Sequence, residues 1–531
     1  MPTSDSNHLP DGDSIGDQVT PSTQQAPAQR PGADPATGQD AVPGRQSRAL
    51  PRLVTGRPKP VSGDHAATAQ AVASGAPAIS SDGRFVAFVS AGSGEGDAVS
   101  AVYVRDLVQN QMVLVSTSMA GELPNGSSYQ PSISADGRFV AFTSEADDIV
   151  AVDTEDSMQV YLHDLRTGVT SLISIDEDGT GGDADSFSPS ISADGRFIAF
   201  TSMARSFDPE HDDNVTPDVY MHDRLTGRTT LISVETDGTA SGGVSGQPSV
   251  SAGGRLVAFT TTASLDVTDT NDSNDVYVFD ATRSANELVS RSLDGDAAGD
   301  SQLPAISADG NTIAFVSDAD DLVDGDDNQH SDVFVHRRDT SRETSRDTSI
   351  DLVSRALDGT PGNDDSHSPS VSGDGLRVAF ISEATDLTPN MDDAGTDVDR
   401  AYARDLEGGG TALISGTSGR APGNGTTTGV SMSSWGRHVA FSDTSTDLAG
   451  QDRPGRHAER SGPVDAQAAP LDRLDPEYDS GLDTDTGRGA GPARVFRTQL
   501  RTAVIPAPPE ATGPAAESHG EPGLRTDLGE V

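Results

Sequence analysis

The sequence predicts an all-β fold, a seven-bladed β-propeller of four-stranded blades, on three observations. First, the string PSISADGRFVAF at 131–142 returns as PSISADGRFIAF at 189–200, and in looser form at 77–88, 248–259, 304–315, 369–380 and 430–441. Second, the phenylalanine closing each copy recurs at 88, 142, 200, 259, 315, 380 and 441, so one unit spans 54 to 65 residues. Third, each gap holds two further strand-like runs in fixed order, and helical periodicity is absent. Four short strands per unit, repeated around an axis, describe a propeller. A six-bladed ring is the alternative.

Each copy reads as a hairpin. Pro131 suits a strand start, where its missing N–H is not needed. Asp136-Gly137 is a turn dipeptide between apolar runs, with glycine free to take positive φ. Arg138 to Ser144 then forms a second strand that is apolar at nearly every position, as for a strand covered on both faces. The third strand is of the type DVYMHD (218–223), DVYVFD (275–280) and DVFVHR (332–337). The fourth is of the type SLIS (171–174), TLIS (230–233), ELVS (287–290) and DLVS (351–354).

In chain order, residues 1–50 are rich in Pro, Ser, Gln, Asp and Gly and are expected to be a disordered tail. They contain Gly12-Asp13-Ser14-Ile15-Gly16, a GxSxG pattern, but no strand-to-helix elbow can form there. The propeller is expected over 51–505. Arg52 to Thr55 looks like a fourth strand without three of its own. Its simplest use is to complete the last blade and leave no free edge. Repeat units start near 77, 131, 189, 248, 304, 369 and 430. Asp106, Asp164, Asp223, Asp280 and Asp405 end the third strands and read as turn-amide acceptors. In the fifth unit this turn is stretched to RRDTSRETSRDTS (337–349). In the seventh, Trp435 replaces the turn aspartate, and a segment at about 450–491 has no strand signal. Ala493 to Arg497 resembles a third strand. Thr502 to Ile505 competes with Arg52 to Thr55 for the fourth, the N-terminal run being preferred. Residues 506–531 read as a second disordered tail.

Composition narrows the partners. Lys plus Arg is 36 against 83 for Asp plus Glu, a formal charge of −47. This excludes the basic surface that nucleic acid or anionic membrane requires. There is no cysteine, so disulfides and thiolate metal sites are ruled out. No apolar run reaches membrane-spanning length, so no membrane insertion is expected. The first thirty residues show neither a basic start nor an apolar stretch, and no secretory signal is visible. A monomer is expected.

The loops before the third strands carry the one pattern with metal chemistry. They read Asp212-x-Asn214-x-x-x-Asp218, Asp269-x-Asn271-x-x-x-Asp275 and Asp326-x-Asn328-x-x-x-Asp332. Oxygen ligands at positions one, three and seven of a tight loop suit calcium. The alternative is that these residues form Asx-turns and satisfy loop amides. The pattern decays in the second unit (Asp153, Glu155, Gln159) and the first (Glu95, Asp97, Ala101), and is out of register near Asp393 to Asp399. These loops share an end of the ring with acidic connections such as Asp176-Glu177-Asp178-Gly179. The opposite end carries Arg84, Arg138 and Arg196, so the ring should be electrically asymmetric.

Catalytic motifs are absent: there is no HExxH, phosphate-binding loop, dinucleotide fingerprint or CxxC. His163, His222 and His336 share one repeated strand position and read as scaffold. His211 and His330 lie in acidic loops. Aromatics are 4% of residues, sparse for stacking platforms.

The repeated P-S-[IV]-S-x-D-G-x-x-[VI]-A-F string resembles the WD40-like propeller repeat of the TolB type over about 77–445. The resemblance implies the propeller fold and an extracytoplasmic setting; related scaffolds include binding proteins, peptidase propellers and lyases. The expected function is a non-catalytic scaffold that binds a protein or small ligand at one end of the ring, with calcium as the one candidate cofactor. The alternative is a lyase or hydrolase with a carboxylate, His or metal site at the acidic end. A third reading is a calcium-stabilised structural protein outside the cytoplasm.

Overall fold

The computed structural model describes residues 52–55, 59–60, 77–91, 99–154, 157–271, 273–292, 297–338, 349–389, 391, 397–417, 421–448 and 494–503. The expected tails, the segment at 450–491, Ser14, Glu95, Asp97, Glu155, Asp393 and most of the 337–349 turn lie outside them. The described residues form seven antiparallel sheets and no helix. Blade 3 is typical: Ser186–Ile191, Phe197–Ser202, Asp218–Asp223 and Arg228–Leu231, hydrogen-bonded in that order from the axis outward. The ring is seven-bladed, and the six-bladed alternative falls.

Second strands explain why the repeat is so apolar. Phe139–Ser144 is buried at every position, as are Leu256–Thr261 and Thr312–Ser317. Each blade presses one face on the blade before it and one on the blade after. One core cluster joins Ala141 and Leu162 of blade 2 to Phe200 and Tyr220 of blade 3. Within a blade the closing phenylalanine stacks on its third-strand neighbour, as Phe142 does on Tyr161 at 5.7 Å between centroids.

The motif serines join neighbouring blades. The hydroxyl of Ser132 accepts the Ile191 N–H of the next blade (3.2 Å), Ser190 that of Val250 (3.0 Å), Ser249 that of Ile306 (3.1 Å) and Ser370 that of Met432 (2.9 Å). The later serine works inside its own hairpin. Ser134 donates to Asp136 (2.7 Å) and accepts the Phe139 N–H (2.9 Å). The residue between serine and aspartate links turn to turn through backbone bonds. Ser81 N–H donates to Ala135 C=O, Ala135 to Ala193, Ala193 to Ala252, Ala252 to Ala308, Ala308 to Gly373 and Gly373 to Ser434, at 2.8 to 3.1 Å. Trp435 N–H returns to Ser81 C=O at 3.3 Å and completes the circle.

First strands are bulged. Gln130, Ser188, Gln247, Leu303 and Ser368, each just before the motif proline, have left-handed φ of 49 to 54°, and the register shifts there. Such a backbone is costly for a residue with a Cβ. Inter-blade bonds offset part of that cost: the Gln130 carboxamide accepts the Ser188 N–H and donates to its hydroxyl, both at 3.0 Å, and Gln247 accepts the Leu303 N–H at 2.9 Å.

Two strand assignments are corrected. Fourth strands lie two residues earlier than SLIS, TLIS, ELVS and DLVS suggest, at Val169–Leu172, Arg228–Leu231, Ala285–Leu288 and Ser349–Leu352. Past Leu172 the Ile173 and Ser174 amides share the Val160 carbonyl, and the Ser174 hydroxyl takes the Val160 N–H at 2.9 Å. A side chain thus replaces the ladder and ends the strand. In blade 7 the third strand runs as one piece from Arg494 to Ala503. Thr502 therefore belongs to it, facing Leu53, and is no fourth strand. The fourth strand is Arg52–Thr55, with Lys59–Pro60 pairing further along the same partner.

Glycine at the hairpin corner has two duties. Gly137 has φ +72°, and a Cβ there would lie 2.1 Å from the Phe85 ring of blade 1. Gly168, in another turn, has φ +70° but open space around it. Gly168→Ala is expected to cost about 1–2 kcal/mol from conformation alone. Gly137→Ala should cost about 1–3 kcal/mol more through overpacking between blades. Urea unfolding of the two variants measures the difference.

Candidate functional site at the acidic end

Loops between second and third strands, and the connections between blades, open on one end of the ring. In blade 3, Asp212 accepts the Tyr220 hydroxyl and, at 3.3 Å, the Asn214 N–H. The Asn214 oxygen accepts the Thr216 N–H at 2.8 Å, an Asx-turn, while its NH2 donates to Asp218 (3.1 Å) and to the Ser241 carbonyl (3.0 Å). Asp218 is fully buried and accepts the Ser233 hydroxyl at 2.6 Å. Burial pushes its carboxyl up to about 6, with Asp212 adding to the rise.

Blades 4 and 5 repeat the plan. Tyr277 donates to Asp269, Asn271 accepts the Ser273 N–H and donates to the Ala297 carbonyl, and Ser290 donates to Asp275. In blade 5, Asn328 accepts the His330 N–H (2.9 Å) and donates to Asp332 (2.8 Å) and the Gly362 carbonyl (2.9 Å), and Ser354 donates to Asp332. Burial pushes Asp332 up to about 7 and Asp326 up to about 6. Each predicted Asp-Asn-Asp set is thus gathered within its own blade, and its asparagine serves an Asx-turn. The serines Ser233, Ser290 and Ser354 escaped the sequence reading as partners. Their signal was present, as the closing letter of TLIS, ELVS and DLVS.

A second group joins blades 5 and 6. His330 Nδ1 lies 3.0 Å from Asp365 and 3.8 Å from Asp364. Carboxylate oxygens of Asp364, Glu383 and Asp397 fall within 4.8 Å of one another. Burial, then the charges of Asp399, Asp364, Asp365 and Asp397, hold the Glu383 carboxyl above its ordinary value. His367 Nε2 meets Asp399 at 3.0 Å. Sequence reasoning singled out only His330 and the ends of the Asp393 to Asp399 stretch, because the group is assembled from separate loops.

The two ends differ in how charge is neutralised. At the hairpin end, Arg84, Arg138, Arg196 and Arg255 each grip the aspartate ending their own third strand, Asp106, Asp164, Asp223 and Asp280, through two hydrogen bonds, the ion pairs closing to 2.6–2.7 Å. Arg377 stands 3.6 Å from Asp405. Those aspartates also accept turn amides, as Asp164 does from Arg166 at 3.0 Å. At the opposite end, the loop of blade 5 alone carries Asp318, Asp320, Asp321, Asp324, Asp326 and Asp327. Among the described residues, the arginines of that end include Arg205, Arg291, Arg355, Arg400 and Arg494. The repeated histidines sit inside the blades: His163 and His222 bond Thr170 and Thr229 at 2.9 and 3.0 Å, and burial holds His336 down at about 4.

No family model matches the chain, and no curated protein matches it. Solved structures similar to it include TolB from Acinetobacter baumannii, at 19% identity, covering 52% of this chain and 56% of that one, with a TM-score of 0.30. The chain thus spans little more than half of that TolB. The β-propeller domain of the Trilobed protease from Pyrococcus furiosus is similar at 13% identity, covering 71% and 90%, with a TM-score of 0.43. Oligogalacturonate lyase from Vibrio parahaemolyticus is similar at 14%, covering 74% and 93%, with a TM-score of 0.43. Identities this low bear on the fold alone. The seven-bladed ring rests on the strand order of the described sheets themselves.

The Arg–Asp grips have a pH signature. The Arg196 guanidinium beside Asp223 holds its carboxyl at about 2, against near 4 in an unfolded chain. A depressed carboxyl contributes stability above its unfolded value and loses it as pH falls through its folded value. Asp223→Asn is therefore expected to melt below wild type at pH 7, with the gap closing as pH falls from about 4 toward 2. Melting curves of both proteins across that range check it.

Proposed function

We propose that the chain is a non-catalytic β-propeller scaffold that receives a positively charged protein or small ligand at its acidic end. The supporting observation is the unequal neutralisation of the two ends. Arg84, Arg138, Arg196 and Arg255 of the hairpin end are paired within their own blades, whereas the loops opposite present carboxylates such as Asp147, Asp183, Asp320, Asp321 and Asp365 to solvent. A field of one sign over one mouth steers cationic partners to it. The inner edge of the ring favours binding over catalysis: its repeated side chains are Gln130, Ser132, Ser188, Ser190, Gln247, Ser249 and Ser370, which are polar and uncharged. The TolB-type repeat extends the reading to an extracytoplasmic setting, which cell fractionation tests.

An enzyme is the second reading, favoured by the group of His330, Asp364, Asp365 and Glu383. On that reading a bound basic peptide is cleaved on incubation, which mass spectrometry detects.

Carbodiimide cross-linking of an oligo-lysine peptide tests the scaffold reading. Cross-links are expected at Asp147, Asp183, Asp320 and Asp365, and to fade with salt. The exposed Asp82, Asp136, Asp194 and Asp374 of the hairpin end should stay unmodified by the peptide. Equal labelling of both ends overturns the proposal.

A further inference from the structure

Blade 5 differs from blades 3 and 4 in the aromatic residue of its third strand. In those blades the first aspartate of the loop, Asp212 or Asp269, accepts a third-strand hydroxyl from Tyr220 or Tyr277. Tyr220 faces Phe200, Tyr277 faces Phe259, and the equivalent residue facing Phe315 is Phe334. Phenylalanine stacks in the same way, at 5.9 Å between centroids, but has no proton to give.

Asp326 therefore takes the Asn328 N–H without a tyrosine hydroxyl beside it. It is 6% exposed, and its Oδ1 is buried with no hydrogen-bond partner among the described residues. Asp332 beside it is fully buried, with the Ser354 hydroxyl on Oδ1 and the Asn328 NH2 on Oδ2. Neighbouring charges compensate only in part: Asp320 and Asp327 push Asp326 up and Asp326 pushes Asp332 up, against which His330 acts in the opposite sense on Asp332. Blade 3, by contrast, has Arg205 acting on Asp212. Two buried carboxylates without a cation are unfavourable, and an unmet carboxylate oxygen adds the full desolvation cost.

We propose that a hard divalent cation, calcium or magnesium, binds in blade 5 between the carboxylates of Asp326 and Asp332, and that in blades 3 and 4 a tyrosine hydroxyl stands where the ion would sit. Loop carbonyls and water complete the oxygen shell such ions require. Asn328 keeps its Asx-turn. The site narrows three similar loops to one, and it is independent of the cationic ligand proposed for the acidic end.

The test uses the full chain, stripped with a chelator and dialysed. Calcium chloride and magnesium chloride are titrated separately by calorimetry, with thermal melts in parallel. One ion per chain and a raised melting temperature are expected for at least one of the two. Phe334→Tyr, which installs the hydroxyl found in blades 3 and 4, should abolish both effects while melting, in chelator, no lower than wild type. Asp326→Asn should also abolish the ion-dependent rise. Melts and heats indifferent to both ions overturn the proposal and leave a shared proton as the occupant. Binding that survives unchanged in both variants overturns it as well.

Discussion

Seven blades can close into a ring only if each meets the next at the same angle, and the circle of turn-to-turn amide bonds holds them to it. The link from Ser81 through Ala135, Ala193, Ala252, Ala308, Gly373 and Ser434 uses backbone alone, so it tolerates any small residue at that position. Everything else in the repeat protects this circle. The motif serine and aspartate shape the turn, glycine lets the preceding blade's ring lie against it, and arginine ties the hairpin to the third strand. Arg138 also lies over the Phe139 ring at 4.4 Å, and Arg224 of blade 3 over the same ring at 4.2 Å. Arg138 thereby takes part in an ion pair and a turn, and the ring it covers is shared with the next blade.

Confining arginine to that duty shapes the electrostatics. The chain carries a large excess of carboxylate, and at the hairpin end arginine pairs the aspartates that close the third strands. Many of the others lie in the loops of the opposite end. Some of these carboxylates are enclosed, as Asp218 and Asp332 are, and act as hydrogen-bond hubs fastening third strand to fourth. Others are solvated and set the field. Two populations of one residue type therefore serve stability and recognition at the same end of the ring.

Much of the fold was legible because the repeat writes its strand order seven times. PSIS, DGR and the VAF run announced a hairpin and a strand covered on both faces. The role of Ser132 was not legible, since its partner, the Ile191 amide, belongs to the next blade. The left-handed backbone at Gln130 and Ser188 had no local signal either; it follows from a bulge that only the inter-blade bonds sustain. At the candidate site the Asp-Asn-Asp spacing could be read, yet spacing cannot tell whether an asparagine oxygen points to an ion or to an amide two residues on. The change from DVY to DVF at Phe334 was visible as letters. Its meaning required knowing that Tyr220 reaches Asp212.

The last blade mixes the first and last described strands: Arg52–Thr55 lies along Arg494–Ala503. During synthesis the first of these strands waits until blades 1 to 6 have been made before its partner appears. Blades 1 to 6 can stack as they leave the ribosome, each covering the one before. The ring as a whole cannot shut until the final strand arrives, and until then an unpaired edge stays open to other chains. The same contact that seals the molecule thus makes its completion a late, long-range event, sensitive to anything that delays or truncates the C-terminal strand.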